Sequence, residues 1–173
     1  ATDVVVLTRL PDMPVHVEAF DSPEAVAHEK ATILQSIKPD GVIIVNGDDA
    51  LIAKALEESG KDNDVITYGL DKKNHVKCLG YSVISKAKVP QGIRFSIRFG
   101  DEKEAFEIRE SLGEQHVFPV LAATAVGLSE SITLTDAALS FDGYRTPNGR
   151  MRLIPGVKDT MIIDDTYNSS PVA

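Results

Sequence analysis

Six residues have the side-chain types and surroundings for chemistry: His16, Lys30, Arg150, Asp164, Asp165 and Asn168. Lys30 lies four residues after Val26 and three before Ile33, so on a helix it shares an apolar face with Val26, Ile33, Leu34 and Ile37. Burial there favours the neutral amine. A neutral amine adds to carbon dioxide and loses a proton to give a carbamate, an anionic oxygen ligand suited to Mg2+. The other reading is a lysine whose stem packs while its ammonium reaches water. His16 can be a metal ligand, a loop residue or a core histidine. Arg150 follows the turn sequence Pro147-Asn148-Gly149, and its guanidinium fork matches phosphate oxygens or simply solvates a loop. The adjacent carboxylates of Asp164 and Asp165 can hold a ribose hydroxyl or a metal-bound water, or cap a turn.

The elements that must position these groups are legible from patterning. Val4 to Leu10 is a continuous apolar run closed by Pro11, and it reads as a strand buried on both faces. Ser22-Pro23-Glu24 opens a helix, with Ser as N-cap and Pro at the first helical position, running to about Ile37. Gly41 to Val45 is a second buried strand, Asp49 caps a helix that Gly60 ends, and Val65 to Leu70 is a third strand. Strand, helix, strand, helix, strand predicts an α/β fold: a doubly wound, mostly parallel sheet flanked by helices.

The middle of the chain changes period. The runs IRFSIRF and EAFEI alternate apolar and polar residues, which predicts a small antiparallel β-appendage over 73–112 with one wet face and turns at Gly92 and Gly100-Asp101. His116 to Leu128 is Ala-rich and apolar nearly all round, so it reads as a buried helix in which His116 only packs at the start. Thr133 caps a further helix, and Met151–Leu153 and Thr160–Ile163 return to strands.

Open parallel sheets bind ligands at the carboxyl ends of their strands. Each expected strand here ends in a polar cluster: Pro14 to Glu18, Asn46-Gly47-Asp48-Asp49, Gly69-Leu70-Asp71 and Asp164 to Asn168. Turn chemistry alone would place such residues at any one strand end, but four together point to a ligand edge.

Composition excludes some classes. The formal net charge is -8, against a nucleic-acid binder with its basic face. No apolar run reaches the roughly 18 residues of a membrane span, and no signal peptide is visible. The lone Cys78 cannot form an internal disulfide and reads as a reduced packing residue of a cytoplasmic protein. The first residue is Ala rather than Met and a strand follows at once, which reads as a fragment boundary.

Five segments, in order along nearly the whole chain, resemble the Mur ligase family. HVEAFDSPEAVAHEKATIL resembles the segment that begins His-Leu-Glu-x-Phe and ends in a lysine; His16 and Lys30 are fourteen positions apart, as in the branch that adds D-alanyl-D-alanine. VIIVNGDD, GEQHVFPVLAATAVGL, TPNGRMRLI and MIIDDTYNSSP resemble the family's Asn-x-Asp-Asp strand end, Gly-x-His-Asn helix, Pro-x-x-Gly-Arg-Met segment and Ile-Asp-Asp-Ser-Tyr-Asn motif. The resemblance implies the central ATP-binding domain of an amide-forming ligase of peptidoglycan precursor synthesis. The partners implied are a UDP-N-acetylmuramoyl tripeptide, D-alanyl-D-alanine, and the remaining N- and C-terminal parts of the same enzyme. The implied reaction runs through an acyl phosphate, with ATP and Mg2+ as cofactors. It further implies that His16 and a Lys30 carbamate act at a Mg2+ near the γ-phosphate, that Arg150 contacts the ATP phosphates, and that Asp165 holds the ribose region with Asp164 and Asn168 nearby.

Two departures from the family pattern stand out. No Gly-x-x-x-x-Gly-Lys-[Ser/Thr] loop occurs, and no two glycines have that five-residue offset. The family carries that loop upstream of the matching segment, so the isolated chain is expected to be inactive. The asparagines that follow the helix histidine, in the region that approaches adenine, are replaced by Val117 and Val120. The alternatives are a non-catalytic Mur-like binding or scaffold domain, and a ligase of the same superfamily with another substrate, such as a folylpolyglutamate type.

Overall fold

A computed structural model describes residues 1–10, 20 and 22–167. Six strands form one sheet in chain order: β1 (Thr2–Leu7), β2 (Ile37–Asn46), β3 (Asp64–Gly69), β4 (Val76–Lys86), β5 (Val89–Phe99) and β6 (Glu102–Arg109). The first four are mutually parallel, and β4, β5 and β6 pair antiparallel. The antiparallel strands therefore continue the parallel sheet directly. A separate ribbon pairs β7 (Arg152–Pro155) with β8 (Met161–Asp164).

Helices cover both faces, which is why β2 can be apolar without alternation. Ile43 and Val45 point to one core with Val5, Leu7, Leu34 and Ile52, beneath α1 (Pro23–Ala31) and α2 (Ala50–Ser59). Ile44 points the other way, with Tyr68, Phe95, Phe106 and Leu121, beneath α3 (Val117–Ser129) and α4 (Leu134–Ser140). Further along the sheet one face is wet and alternation returns: Ile93, Phe95 and Ile97 are buried, while Arg94 on the other face meets Glu107 across the strands.

The caps follow local chemistry. Ser22 Oγ accepts from Ala25 N at 3.2 Å, Asp49 Oδ1 accepts from Leu51 N and Ile52 N, and Thr133 Oγ1 accepts from Asp136 N. Gly60 closes α2 in the left-handed region at φ 62°.

Two expectations are corrected. The first helix does not run to Ile37: it becomes a 3-10 helix over Thr32–Ser36, and Ile37 opens β2. Thr32 Oγ1 donates back to Glu29 O, and Lys38, which precedes Pro39, is kept out of helical geometry. The turn of the antiparallel pair β4–β5 is at Ala87 and Lys88, at φ 49° and 67°, instead of Gly92. Gly92 lies within β5, where a Cβ would come 2.2 Å from Ile108 O, so close backbone approach requires glycine there.

β3 and β4 are parallel neighbours joined by only six residues, 70–75, where a parallel connection ordinarily takes a dozen or more. The pairing is confined to two positions, Tyr68 with Val76 and Gly69 with Lys77. The connection is stapled by Asp48, which accepts from Leu70 N at 2.6 Å, Asp71 N at 3.1 Å and Asn74 Nδ2 at 2.7 Å.

Candidate functional site

The carboxyl ends of β1, β2 and β3 open into a crevice of about 900 Å3, floored by Thr8, Asn46, Tyr68 and Asp49 and walled by Glu114 and Phe118 at the head of α3. That is where an open parallel sheet places a ligand. The Asn-Gly-Asp-Asp cluster that marked this edge is itself occupied with structure. Asn46 Nδ2 donates to Thr8 O at 3.2 Å, Asp49 Oδ2 accepts from Leu10 N at 2.8 Å, and Asp48 staples the β3–β4 connection. These carboxylates shape the crevice by tying three strand ends together. Burial pushes the Tyr68 phenol far above its usual range, reinforced by the Asp49 charge, so it lies in the crevice floor as a neutral hydroxyl.

A second cluster forms where the turn before β7 meets the end of β8. Gly149 N donates to Asp164 Oδ2 at 3.0 Å, Tyr167 N donates to Gly149 O at 3.1 Å, and Met151 N donates to Asp165 Oδ1 at 3.2 Å. Met151 O accepts from Leu112 N at 3.1 Å. Arg150 is thus held on both sides by backbone bonds, between Gly149 at φ 74° and Met151 at φ 50°. A non-glycine residue in the left-handed region costs of order 1 kcal/mol and persists only where its surroundings over-determine it. The Arg150 guanidinium lies 4.0 Å over the ring of Tyr167.

The two carboxylates of the pair have different environments. Asp164 has both oxygens engaged, Oδ1 by Thr166 Oγ1 at 2.7 Å and Oδ2 by Gly149 N. The Thr166 hydroxyl, followed by the Gly149 and Thr166 backbone, holds its pKa below the ordinary 3.8. Asp165 is exposed and spends one oxygen on Met151 N.

His116 packs against the cluster. It sits at the head of α3, beside the backbone of Arg150 and the charge of Asp165, with 9% of its surface exposed. Its Nε2 has no hydrogen-bond partner among the described residues. Burial pushes its imidazole below the ordinary 6.5, against the opposing pulls of the Arg150 backbone and Asp165. It lines a cavity of about 170 Å3 with Pro119, Val120, Phe141 and Tyr144. The expectation that it only packs therefore missed its contact with the Arg150 loop, a tertiary relation whose one signal in sequence was its place in the Gly-x-His segment. Val117 and Val120 are core residues, 0% and 2% exposed, and Val120 also lines that cavity.

Lys30 is exposed, and the expectation of an inward apolar face is corrected. Val26, Ala27 and Leu34 are buried, but Ile33 is 48% exposed. The tighter 3-10 winding after Ala31 takes Ile33 off that face, while Lys30 is already exposed within α1. His16 and Asn168 lie outside the described residues. Among the described residues no three His, Cys, Asp or Glu side chains gather as a metal cluster. No described helix is long and apolar enough to cross a membrane. Cys78 is buried, and burial raises its thiol pKa.

Comparison with known proteins gives a consistent picture. The family model for the Mur ligase middle domain matches residues 1–127. The UDP-N-acetylmuramoyl-tripeptide–D-alanyl-D-alanine ligase of Bacillus subtilis is 30% identical over 171 residues, covering 99% of this chain and 34% of that protein. The enzyme of the same name from Haemophilus influenzae is 28% identical over 157 residues, covering 91% of this chain and 32% of that protein. Among solved structures, MurF from Acinetobacter baumannii superposes with a TM-score of 0.82 at 22% identity, over 98% of this chain and 35% of that one. MurF ligase from Thermotoga maritima in complex with ADP superposes with a TM-score of 0.79 at 19% identity, over 98% of this chain and 36% of that one. At those identities the structural likeness establishes the fold. The chain spans about a third of the length of the relatives it matches.

Proposed function

This chain belongs to the Mur ligase family, and from that premise we propose that it is the central ATP-binding part of a longer ligase of peptidoglycan precursor synthesis. The longer enzyme adds D-alanyl-D-alanine to a UDP-N-acetylmuramoyl tripeptide. The observation that carries the reading is the clamped Arg150: an always-charged fork, fixed by its backbone beside an exposed carboxylate at the head of α3.

ATP suits these residues. Bound ATP supplies the phosphoryl group that activates a substrate carboxylate for attack by an amine. Arg150 holds phosphate oxygens through its in-plane N–H groups. Asp165 has its Oδ1 on Met151 N and offers its second oxygen to a ribose hydroxyl. Asp164, with both oxygens engaged, keeps the loop in shape beside Asp165. Asn168 completes the ribose side. His16 and Lys30 are the candidate Mg2+ ligands, the exposed Lys30 as a carbamate on the family resemblance alone. The rest of the same polypeptide supplies the phosphate-cradling loop, so this segment alone hydrolyses no ATP. The UDP-linked substrate and the reduced, buried Cys78 fit a cytoplasmic enzyme.

The test is phosphate release by the complete protein carrying this chain. Turnover should require ATP, the UDP-linked tripeptide and D-alanyl-D-alanine together. Arg150→Ala should lower kcat/KM for ATP roughly 10- to 100-fold, the range of one or two hydrogen bonds to a charged group. Turnover without D-alanyl-D-alanine, or with glutamate in its place, would refute the substrate assignment.

A further inference from the structure

We infer that Tyr167 is a positioning residue for Arg150, orienting the guanidinium by its ring without neutralising it. The inference rests on the reading of Arg150 as the phosphate-binding residue and goes beyond it by naming what aims that residue.

Among the described residues, four of the other six arginines have a carboxylate within 4.0 Å, Arg9 and Arg98 being the exceptions. Arg94 and Arg109 are paired with Glu107, and Arg145 and Arg152 lie 3.7 and 4.0 Å from Glu110. A carboxylate partner occupies N–H donors and cancels charge. Among the described residues Arg150 has no carboxylate within 4.0 Å; its partner is the face of Tyr167, at 4.0 Å from the ring centroid. Stacking uses the flat face of the guanidinium and leaves its in-plane donors open. Such a partner suits a side chain that must hold a fixed direction and still present its full charge to an anion.

The backbone makes the stack a defined geometry. Tyr167 N donates to Gly149 O, and a Cβ on Gly149 would come 2.8 Å from Tyr167 N, so the two segments are in contact immediately before Arg150. Asp164 and Asp165 hold the same loop from the residues just before Tyr167. Ring and guanidinium are therefore carried on two strands of backbone already pinned to each other. Tyr167 is 66% exposed, so the ring contributes little to the core, and its placement over Arg150 is not a by-product of burial.

The experiment measures ATP kinetics of the complete protein with the UDP-linked tripeptide and D-alanyl-D-alanine, for Tyr167→Leu, Tyr167→Phe, Tyr167→Asp, Arg150→Ala and the Arg150→Ala/Tyr167→Leu double variant. Tyr167→Leu should raise KM for ATP about five-fold with kcat changed less than two-fold, and Tyr167→Phe should restore the parental KM because the ring face is retained. Tyr167→Asp should be worse than Tyr167→Leu, since a carboxylate ties up the donors. The double variant should match Arg150→Ala alone, as expected when one residue acts through the other. A parental KM for Tyr167→Leu, or additive losses in the double variant, overturns the inference. Equal losses in Tyr167→Phe and Tyr167→Leu overturn it too, pointing to the hydroxyl. If Arg150→Ala itself leaves KM unchanged, the phosphate-binding reading fails and this inference with it; if only the Tyr167 variants are silent, that reading stands alone.

Discussion

Gly149 and Tyr167 are in backbone contact: Tyr167 N donates to Gly149 O at 3.1 Å, and a Cβ at Gly149 would lie 2.8 Å from that nitrogen. Gly149 also has φ 74° and is buried, so both conformation and space call for glycine. Gly149→Ala should destabilise the protein by ~2 kcal/mol, through strain and the displaced Tyr167 segment. Urea unfolding measures the loss, and it should be accompanied by a larger loss in ATP affinity of the complete enzyme than thermal destabilisation alone produces. An unchanged midpoint would mean the loop relaxes freely.

Asp49 joins α2 to the segment after β1 with one side chain. Its Oδ1 caps α2 through Leu51 N and Ile52 N, and its Oδ2 takes Leu10 N beyond the end of β1. Asp49→Ala should cost about 1–2 kcal/mol for the lost cap alone, and more for the freed Leu10 N–H. Asp49→Asn can keep the cap while presenting an NH2 to Leu10 N, so it should fall between the parent and Asp49→Ala in chemical denaturation. Equal stability of all three would show that neither bond matters.

Features set by neighbours in sequence were legible in the sequence. Ser22, Asp49 and Thr133 cap where their side chains reach the next turn, and Gly60 ends α2 at positive φ. The buried run around Ile43 to Val45 and the alternation around Phe95 gave the change from a sheet covered on both faces to one with a wet face. What escaped depends on contacts distant in sequence or on backbone phase. The expected apolar face failed at Ile33, which lies in a 3-10 winding that begins at Thr32. The turn at Ala87-Lys88 uses two non-glycine residues at positive φ, against local propensity, and Gly92 serves the close approach of β6 instead. Asp164 and Asp165 are indistinguishable as neighbours in sequence. Only the loop at Gly149–Met151 separates a clamp from an available carboxylate.

The acid response of the loop should follow Asp164. Its hydrogen bonds from Thr166 and Gly149 hold its folded pKa below the ordinary 3.8. A carboxyl with a depressed folded pKa contributes stability that is present above about pH 3.8 and is lost as pH falls through the folded value. Asp164→Asn should flatten that part of the acid unfolding curve. Because the group is solvent-screened, the difference should be small and confined to low pH. A variant curve parallel to the parent throughout would refute the assignment.

His116 should act in a different window. Burial lowers its pKa, so the folded protein prefers the neutral ring while the unfolded chain takes up a proton near pH 6.5. Between the folded value and 6.5 the unfolded state binds more protons, so this contribution to stability falls as pH drops below about 6.5 and is lost in full below the folded pKa. The melting temperature should decline over that interval in the parent. His116→Leu should remove the decline, with a nearly level profile, while losing some stability at higher pH where the neutral imidazole packs beside Arg150 and Asp165. The same variant separates packing from ligand contact. If the cavity shared with Pro119, Val120, Phe141 and Tyr144 takes part in nucleotide binding, KM for ATP in the complete enzyme should rise with His116→Leu even at pH values where the two proteins melt together. An unaltered KM would leave His116 as a buried support for the Arg150 loop.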